Sequence, residues 1–413
     1  MSEVQVYVSL DGRDALAGTL YSHRRRATES ATFTYASEYL ATRGAYPLDP
    51  ELALRSGSHQ TRVGRPLFGA FTDCAPDRWG RTLITRREAA LARDEQRAAR
   101  AVGETDFLLG VRDDLRQGAL RFRAGVGPFL AAGDAGVPAL TDLPELTDLA
   151  ARAESDTADL PDLQRLFRVG SSLGGARPKA HVRHPDGRIA IAKFPSPNHD
   201  AWNVMAWEKV ALDLAARAGL DVPVSRLLNL AGRNVLVVDR FDRTAAGERI
   251  GYVSARTMLE ASDADRRSYL EIADVVERTS ARATDELRQL WRRVVFSVLI
   301  SNTDDHLRNH GFLHVHDDVW RLAPAFDLNP DPAPGPTFLS TAIDGSDDAA
   351  SIAAALTVAE FFRLDHDQAR ATLREVASAV SQWRTVAGQN QLTPSEITAM
   401  EPAFDALGSL TSG

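Results

Sequence analysis

The chain has 413 residues, of which 44% are hydrophobic and 25% are charged. This length is roughly two to three times that of a typical domain, and the composition is that of a globular protein, so we expect a folded chain with several parts. A single cysteine, Cys74, excludes a disulfide framework and any cysteine-cluster metal site. The net charge of −8 excludes a general attraction to nucleic acid, which would need a local basic patch or a partner.

Apolar runs in this sequence are short. Val294 to Ile300 is among the longest, whereas a membrane-spanning helix needs about 20 apolar residues. The start, Met1-Ser2-Glu3, has neither the basic residues nor the apolar core of a signal peptide. We therefore expect a soluble, cytoplasmic protein that makes no contact with membranes.

The basic residues are almost all arginine. Of 48 basic residues, the lysines are Lys179, Lys193 and Lys209. A lysine retained in such a sequence indicates a position that needs a compact, flexible ammonium group. Lys179 and Lys193 are close in sequence, which makes them the first candidates for a functional cation.

The N-terminal region, residues 1–130, is predicted to be an α/β module. Alternating apolar residues from Val4 to Leu10, followed by a turn at Asp11-Gly12 and a second apolar segment, indicate a β-hairpin. The basic cluster Arg24-Arg25-Arg26 is typical of a solvated loop, with contact to phosphate or nucleic acid as the alternative. A stretch rich in alanine and arginine predicts a helix from Arg86 to about Val102.

Residues 131–160 are rich in Ala, Gly, Asp and Pro and are predicted to link two domains, with one helix from Glu145 to Ala153. A glycine-rich segment, residues 170–179, then leads into a predicted hairpin. On its outgoing strand Ile191 and Lys193 share one face because side chains alternate along a strand. Lys193 is therefore expected to project from an apolar surface.

The next predicted helix, from Asn203 to Ala218, ends at Gly219. Glu208 falls within the apolar stripe of this helix. A buried carboxylate needs a cationic partner, and Lys193 on the preceding strand is the nearest candidate. The alternative is that Glu208 lies at the edge of the stripe and is solvated.

The remaining chain is mostly helical in its apolar spacing, with a short polar loop and a predicted hairpin among the helices. The predicted helices are Ala281 to Ile300, Ser351 to Phe362, His366 to Trp383 and Pro394 to Leu407.

The polar loop and the hairpin after it carry an ordered set of residues. Asp304 is followed by Asn309 five positions later, then by the predicted hairpin and by Asp327. Phosphoryl transferases use this order: the first Asp orients or accepts the hydroxyl proton, and Asn and the second Asp hold Mg²⁺. The preceding glycine loop, Lys193 and Glu208 complete the order, which predicts phosphoryl transfer.

Several motifs along nearly the whole chain match one known family when they are taken together. They are Ala75–Arg81, Gly118–Phe122, Ser171–Lys179, Ala192–Phe194, Val237–Arg243, Asn302–Phe312 and Pro324–Asp327. With this set the sequence resembles the HipA family of serine/threonine kinases, which are the toxin halves of bacterial toxin–antitoxin pairs.

The resemblance assigns roles to individual residues. It implies that Asp304 is the catalytic residue, that Asn309 and Asp327 are Mg²⁺ ligands, and that Ser172 is the serine that such kinases phosphorylate in themselves. The segment Asp239 to Phe241 would be the hinge beside adenine. The residues expected to contact ATP are Gly174, Gly175, Ala176, Lys179, Lys193, Glu208, Asp239, Phe241, His306 and Asn309.

The resemblance also implies an α+β, bilobal protein-kinase-like fold with an extra N-terminal α/β module. Residues 161–250 would form the nucleotide-binding region that is like a kinase N-lobe, and residues 251–413 an all-helical C-terminal lobe with the catalytic loop. The implied cofactors are ATP and magnesium. The implied partners are a protein substrate and a DNA-binding antitoxin, so that contact with nucleic acid is indirect or through a local basic patch.

Some of these motifs also match other kinds of site. Residues 170–174 also match a nucleophile elbow, with Ser172 as the nucleophile of a serine hydrolase, but Gly175 and Pro178 disfavour the helix that this motif needs. The segment after Asp327 imitates a calcium loop, but Pro332 stands where the turn requires glycine, which excludes it. A small-molecule kinase and a kinase-shaped repressor subunit stay open, and His306 could be a general base or a loop organiser.

Overall fold

The computed structural model describes residues 2–10, 12–25, 28–76, 78–130, 136–155, 157–170, 177–196, 198, 200–333, 337–345 and 349–411. The chain divides into two compact units. The first contains residues 1–199, 239–253 and 314–318, and the second contains residues 200–238, 254–313 and 319–413. The predicted boundaries at residues 130, 160 and 250 stay a prediction.

The first unit begins with a five-stranded antiparallel sheet. Its strands are β1 (Ser2–Leu10), β2 (Arg13–Arg25), β3 (Thr28–Tyr35), β4 (Ser58–Gln60) and β5 (Leu120–Arg123). Their order in the sheet is β4-β3-β2-β1-β5. Val4, Val6 and Val8 are buried because alternate residues of β1 face the core. The hairpin predicted at the start of the chain is confirmed by the pairing of β1 with β2.

Six α-helices lie in the described part of the first unit. They are α1 (Ser37–Leu40), α2 (Gly69–Asp73), α3 (Arg78–Asp94), α4 (Glu104–Gly110), α5 (Leu143–Glu154) and α6 (Leu160–Gly170). The helix predicted from Arg86 to Val102 is wrong in its bounds, because the apolar face of α3 begins at Trp79 and Gln96 adopts a left-handed φ of 53° that ends the helix. α5 lies in the predicted linker and packs against α6.

The predicted hairpin after the glycine-rich segment is confirmed. Strands β6 (Lys179–Arg183) and β7 (Ile189–Lys193) pair in an antiparallel ladder. In this register His181 lies opposite Ile191. Directly opposite residues share a face, so the face of Lys193 also carries a histidine, and the expectation of an apolar surface around Lys193 is wrong.

The second unit contains most of the helices. They are α7 (Val204–Arg217), α8 (Ala255–Met258), α9 (Tyr269–Thr279), α10 (Ala283–Leu299), α11 (Ile352–Thr357), α12 (His366–Val380), α13 (Trp383–Gln389), α14 (Pro394–Ala399) and α15 (Asp405–Thr411). α10 packs against α9 and α12. Gly219, with φ 77°, ends α7 as expected.

Five short strands lie in the remaining described part of the chain. They are β8 (Ser225–Leu230), β9 (Arg233–Asp239), β10 (Tyr252–Ser254) and the predicted pair β11 (Gly311–His316) and β12 (Val319–Leu322). The C-terminal region is therefore not entirely helical, because the β11–β12 pair interrupts it. Among the described residues no helix is both long and apolar enough to cross a membrane.

Three helices predicted in the C-terminal part are each broken in the structure. The first changes to a 3₁₀ turn after Thr357, and the second ends at Val380 before a new helix starts at Trp383. The third is interrupted near Pro402, since proline lacks the N–H that a continuing helix requires. These breaks allow Trp383 to stack on Phe404, with ring centroids 4.3 Å apart.

Substitution of Gly18 on β2 can test how closely β2 packs against β3 in the first sheet. A Cβ on this residue would overlap the carbonyl oxygen of Thr34 and would lie 2.6 Å from Cζ of Phe33. We expect Gly18→Ala to lower the free energy of unfolding by about 2 kcal/mol, because a backbone atom has to move. Gly136→Ala is the matched control, since nothing lies within 4 Å of its added Cβ. Equal urea midpoints for both variants would contradict the prediction.

Candidate active site

The loop that follows α10 carries two consecutive aspartates, Asp304 and Asp305, which differ in how deeply they are buried. Ser301 adopts a left-handed conformation, with φ 50°, directly after α10. Asp304 is exposed, whereas Asp305 is only 3% exposed. A carboxylate that accepts a proton from a substrate has to reach that substrate. Asp304 therefore suits the predicted catalytic role and Asp305 does not.

The carboxylate of Asp305 is the buried anchor of this loop. The hydroxyls of Tyr269 and Ser297 both donate to its Oδ2, the second over 2.9 Å. His310 Nε2 lies 3.1 Å from its Oδ1, which is an ion-pair distance. Burial by itself would raise the pKa of Asp305, but His310 and the two hydroxyls lower it to about 2. Asp305 is thus ionised at neutral pH and holds the loop to α9 and α10.

The loop is also tied to the segment that contains Asp327. The N–H of Asn329 donates to Oδ1 of Asn302 over 3.2 Å. Oγ1 of Thr303 donates to Oδ2 of Asp331 over 3.0 Å. These two bonds place the loop of Asp304 and the segment of Asp327 side by side within the second unit.

Asn309 is oriented by the loop itself. Its Nδ2 donates to the carbonyl oxygen of Asp304 over 3.0 Å. Its N–H donates to the carbonyl oxygen of His306 over 2.8 Å. Because the amide nitrogen is bonded to the backbone, the amide oxygen of Asn309 is the atom that can bind a cation, and oxygen is the ligand type that Mg²⁺ requires.

Asp327 has an unusual backbone. It is half-buried, and its φ of 59° lies in the left-handed region that few residues other than glycine adopt. Nδ2 of Asn329 donates to its carbonyl oxygen over 3.2 Å and so helps to hold this conformation. Strain of this kind is concentrated at functional sites, where the surrounding structure maintains it.

The donor set of Asn309 and Asp327 fits magnesium. Within the described part of the chain, no group of three His, Cys, Asp or Glu side chains could hold a metal by itself. Magnesium is usually bound by one or two protein oxygens together with phosphate oxygens and water. The side-chain oxygens of Asn309 and Asp327 are donors of the type that such a site uses.

His306 organises the loop through its backbone. Its N–H donates to the carbonyl oxygen of Asp304 over 2.9 Å. Its Nδ1 is buried and has no hydrogen-bond partner among the residues that the structure describes. The predicted role of His306 as a loop organiser thus has a contact that fits it, while the predicted contact to ATP stays a prediction.

The hairpin of the first unit brings two of the three lysines together. Lys179 on β6 and Lys193 on β7 are directly opposite in the antiparallel ladder. Side chains at such positions lie on one face, with Cβ atoms roughly 5 Å apart. One anion could therefore lie within reach of both ammonium groups. The placement therefore fits the predicted role of both lysines as phosphate contacts.

The predicted hinge segment is held by its side chains. The carboxylate of Asp239 accepts hydrogen bonds from His184 Nε2, over 2.8 Å, and from Arg188. The ring of Phe241 lies 6.2 Å from that of Tyr252. The side chain of Asp239 thus already makes hydrogen bonds within the first unit. If this residue contacts adenine, the contact would therefore be made by its backbone.

A buried charge network follows the predicted hinge segment in the chain. Asp242 accepts hydrogen bonds from Arg240, over 2.6 Å, from Arg243, over 2.9 Å, and from the N–H of Gly118, over 2.8 Å. Burial would raise the pKa of Asp242, but the two guanidinium groups hold it well below its usual range. Nε2 of His181 lies 3.0 Å from Nη1 of Arg240, which joins β6 to the network.

The other predicted site residues are Glu208 and four residues of the glycine-rich segment. Ser172, Gly174, Gly175 and Ala176 are outside the described residues, and their roles stay predictions. Glu208 is 2% exposed on α7, so the alternative that it is solvated is wrong. Its ion pair with Lys193 stays a prediction.

Sequence reasoning missed the residues that support the site. Tyr269, Ser297 and His310, which surround Asp305, have no spacing that marks them, because they belong to different elements. The signal for Asp305 was present as a second Asp beside Asp304. In the structure the two side chains differ in burial, and Asp305 is the one that faces the core.

Two family models match the chain. The model described as the HipA-like C-terminal domain matches residues 171–383, which is more than half of the chain. The model described as the HipA N-terminal domain matches residues 7–105. The second match begins within β1 and contains β2 and α3, and the first contains the Asp304 loop.

Two curated relatives are similar in sequence. "Putative kinase" of Haemophilus influenzae is 26% identical over 180 residues, which are 38% of this chain and 52% of that protein. "Putative kinase Y4mE" of Sinorhizobium fredii is 23% identical over 321 residues, which are 72% of this chain and 71% of that protein. The chain thus spans about half the length of the first relative.

A solved structure shares the fold. It is the complex of HipA, HipB and operator DNA from the toxin–antitoxin system of Shewanella oneidensis. The similarity has a TM-score of 0.65 at 16% sequence identity and covers 98% of this chain and 95% of that chain. The mixed helix-and-sheet fold expected from the sequence is therefore shown.

The contribution of Asp305 to stability can be tested by substitution. Its folded pKa of about 2 is below the unfolded value of about 3.9, so its stabilising contribution is complete above that value and is lost as the pH falls towards 2. We expect Asp305→Asn to lower the free energy of unfolding at pH 7 by about 2 kcal/mol and to flatten its pH dependence between about pH 4 and 2.

Urea unfolding at several pH values measures this effect. Asp304→Asn is the matched control, because substitution of the exposed neighbour is expected to change stability by less than about 0.5 kcal/mol. Equal stability losses in the two variants would show that Asp305 does not anchor the loop.

Proposed function

The chain belongs to the HipA family, and on that basis we propose that it is an ATP- and Mg²⁺-dependent serine/threonine protein kinase. The observation that carries the proposal is the division between the two aspartates of the loop. Asp305 is buried and ionised among three polar side chains, and this leaves Asp304 exposed at a fixed position. A rigidly held, accessible carboxylate is what phosphoryl transfer requires of its catalytic residue.

The proposed reaction is transfer of the γ-phosphoryl group of ATP to a hydroxyl. Asp304 orients the attacking hydroxyl and accepts its proton as the oxygen bonds to the γ-phosphorus atom. The bond between that phosphorus atom and the bridging oxygen of the β-phosphate breaks, and ADP leaves with the electron pair. Catalysis of this kind depends mainly on positioning and on charge stabilisation.

Two groups of residues are assigned to the phosphates. Asn309 and Asp327 would hold Mg²⁺ through their side-chain oxygens, and the metal would screen the negative charge of the triphosphate. Lys179 and Lys193, opposite each other in the hairpin, would bind phosphate oxygens as point charges. Buried Glu208 would pair with Lys193 and hold its ammonium group in place.

We infer that the biological setting is a toxin–antitoxin pair. The Shewanella oneidensis structure with the same fold contains HipB and operator DNA, and by analogy this chain would act with a DNA-binding antitoxin. A direct basic patch is disfavoured at Arg24, because that residue is paired with Glu29 and Asp106 at 3.7 and 3.9 Å. The antitoxin, rather than this chain, would then contact the nucleic acid.

A small-molecule kinase would use the same chemistry, so the acceptor has to be identified by experiment. Incubation of the purified chain with labelled MgATP and a bacterial lysate distinguishes the two. Label that appears in protein bands supports the proposal, and label confined to the small-molecule fraction supports the alternative.

Asp304→Asn should remove the proton acceptor while the loop stays folded. We expect kcat for phosphoryl transfer to fall by about 10²- to 10⁴-fold, the usual contribution of a general base. The measurement is phosphate incorporation at saturating MgATP. Asp367→Asn is the control, because Asp367 is fully exposed on α12 and should retain full activity. An active Asp304→Asn variant would exclude the catalytic assignment.

Ser172 is proposed as the site of self-phosphorylation. Mass spectrometry after incubation with MgATP should find phosphate on Ser172 in the wild-type chain and none in Asp304→Asn. A phosphate adds about −1.5 to −2 charges beside the nucleotide phosphates, so we expect weaker ATP binding in the modified chain. An unmodified Ser172 in a preparation that phosphorylates other proteins would refute this site.

A further inference from the structure

A short extended segment of the second unit, residues 337–343, lies against the loop that follows α10. Along it, Leu339, Thr341 and Ile343 are at most 3% exposed, whereas Ser340 is exposed. This alternation is the period of two of an extended chain that has one face on the core. The apolar side chains of Leu339 and Ile343 therefore anchor the segment, and Thr341 faces inwards between them.

Two consecutive hydroxyls of this segment bind the main chain of the Asp304 loop. Oγ of Ser340 donates to the carbonyl oxygen of Thr303 over 2.8 Å, and the N–H of Ser340 donates to the same oxygen over 3.0 Å. Oγ1 of Thr341 donates to the carbonyl oxygen of Asp305 over 2.7 Å. The two hydroxyls thus hold the residues immediately before and after Asp304.

The backbone conformation of Asp304 is fixed by these bonds together with bonds inside the loop. Its φ and ψ are set by the two peptide planes that flank its Cα. The first plane carries the carbonyl oxygen of Thr303, which Ser340 holds. The second carries the carbonyl oxygen of Asp304 itself, to which the N–H of His306 and Nδ2 of Asn309 donate. Because both planes are held, the side chain of Asp304 leaves the main chain in one direction.

The segment is itself anchored to the start of α9. The N–H of Ala342 donates to the carbonyl oxygen of Arg267 over 3.0 Å, and the N–H of Tyr269 donates to the carbonyl oxygen of Ala342 over 2.9 Å. The hydroxyl of the same Tyr269 donates to the carboxylate of Asp305. Helix α9 therefore supports the loop twice, directly through the tyrosine hydroxyl and indirectly through the segment.

We propose that Ser340 and Thr341 are positioning residues, which hold the main chain on both sides of Asp304 and so keep its carboxylate where it accepts the proton of the attacking hydroxyl. The inference rests on the proposed function, which assigns that proton to Asp304. Positioning matters because a displacement of about 1 Å can lower a rate by about 10²-fold. The two hydroxyls act on the loop and not on the nucleotide, so nucleotide affinity should not depend on them.

Two other hydroxyls in the chain provide matched controls. Thr147 on α5 is 2% exposed and donates to a main-chain carbonyl oxygen over 2.7 Å, as buried Thr341 does. Ser381 is exposed and donates to a main-chain carbonyl oxygen over 2.8 Å, as exposed Ser340 does. Valine in place of either threonine, or alanine in place of either serine, removes a bond of the same length. The substitutions in the segment alone act on the Asp304 loop.

The experiment uses the full chain and two readouts: the maximal rate of label transfer from MgATP to the proteins of a bacterial lysate, and Kd for MgADP from calorimetric titration. We expect Thr341→Val to lower the rate about tenfold. Ser340→Ala should lower it about threefold, because the N–H of Ser340 still binds the Thr303 carbonyl. Kd for MgADP should stay at the wild-type value in both variants. Thr147→Val and Ser381→Ala should change neither readout.

A conservative variant separates positioning from packing. Thr341→Ser keeps the hydroxyl and loses a methyl group, whereas Thr341→Val keeps the size of the side chain and loses the hydroxyl. We expect Thr341→Ser to recover most of the rate that Thr341→Val loses. A rate in Thr341→Ser as low as that in Thr341→Val would assign the effect to packing and overturn the proposal. Ser340→Ala changes an exposed side chain, so it tests the proposal even where the buried substitution impairs folding.

Each other result gives a definite answer. Wild-type rates in both Thr341→Val and Ser340→Ala would overturn the proposal, since Asp304 would then be positioned without the two hydroxyls. A lower rate accompanied by an equal weakening of MgADP binding would show a general loss of structure and would also overturn it. A wild-type chain that transferred no phosphate would instead refute the proposed function, and that result is seen before any variant is compared.

Discussion

The candidate active site depends on one buried charge. Asp305 is buried away from water. Its carboxylate accepts hydrogen bonds from Tyr269 and Ser297 and lies beside His310. A buried carboxylate that lost these partners would be strongly destabilising, so the loop has one stable position. The exposed side chain of Asp304 is fixed because its neighbour is buried, and Asn309 is oriented in turn by the carbonyl oxygen of Asp304.

The first unit uses the same principle in the segment that follows β9. Asp242 is buried and is bonded by Arg240, Arg243 and a backbone N–H, so the segment after β9 is held by charge rather than by apolar packing. Arginine is suited to binding a buried carboxylate because its planar guanidinium group forms several directed hydrogen bonds at once. Arg240, for example, bonds Asp242 and also the carbonyl oxygens of Leu115 and Arg116.

Lysine and arginine are thus used for different purposes in this chain. Arginines occupy the structural networks, where a fixed fork of donors is an advantage. Two of the three lysines stand opposite each other at one end of the β6–β7 hairpin. Under the proposed function, phosphate oxygens would bind both ammonium groups as point charges.

The sequence by itself determined the local elements and the order of the chemical groups. The first hairpin, the β6–β7 hairpin, α7 with Gly219 and the Asp304–Asn309 spacing follow from periodicity and turn residues, which act over a few positions. Tertiary structure decided which aspartate of the loop is buried, where the C-terminal helices break, and that Trp79 contacts Lys179. These outcomes depend on contacts between residues up to a hundred positions apart, and no local pattern records such contacts.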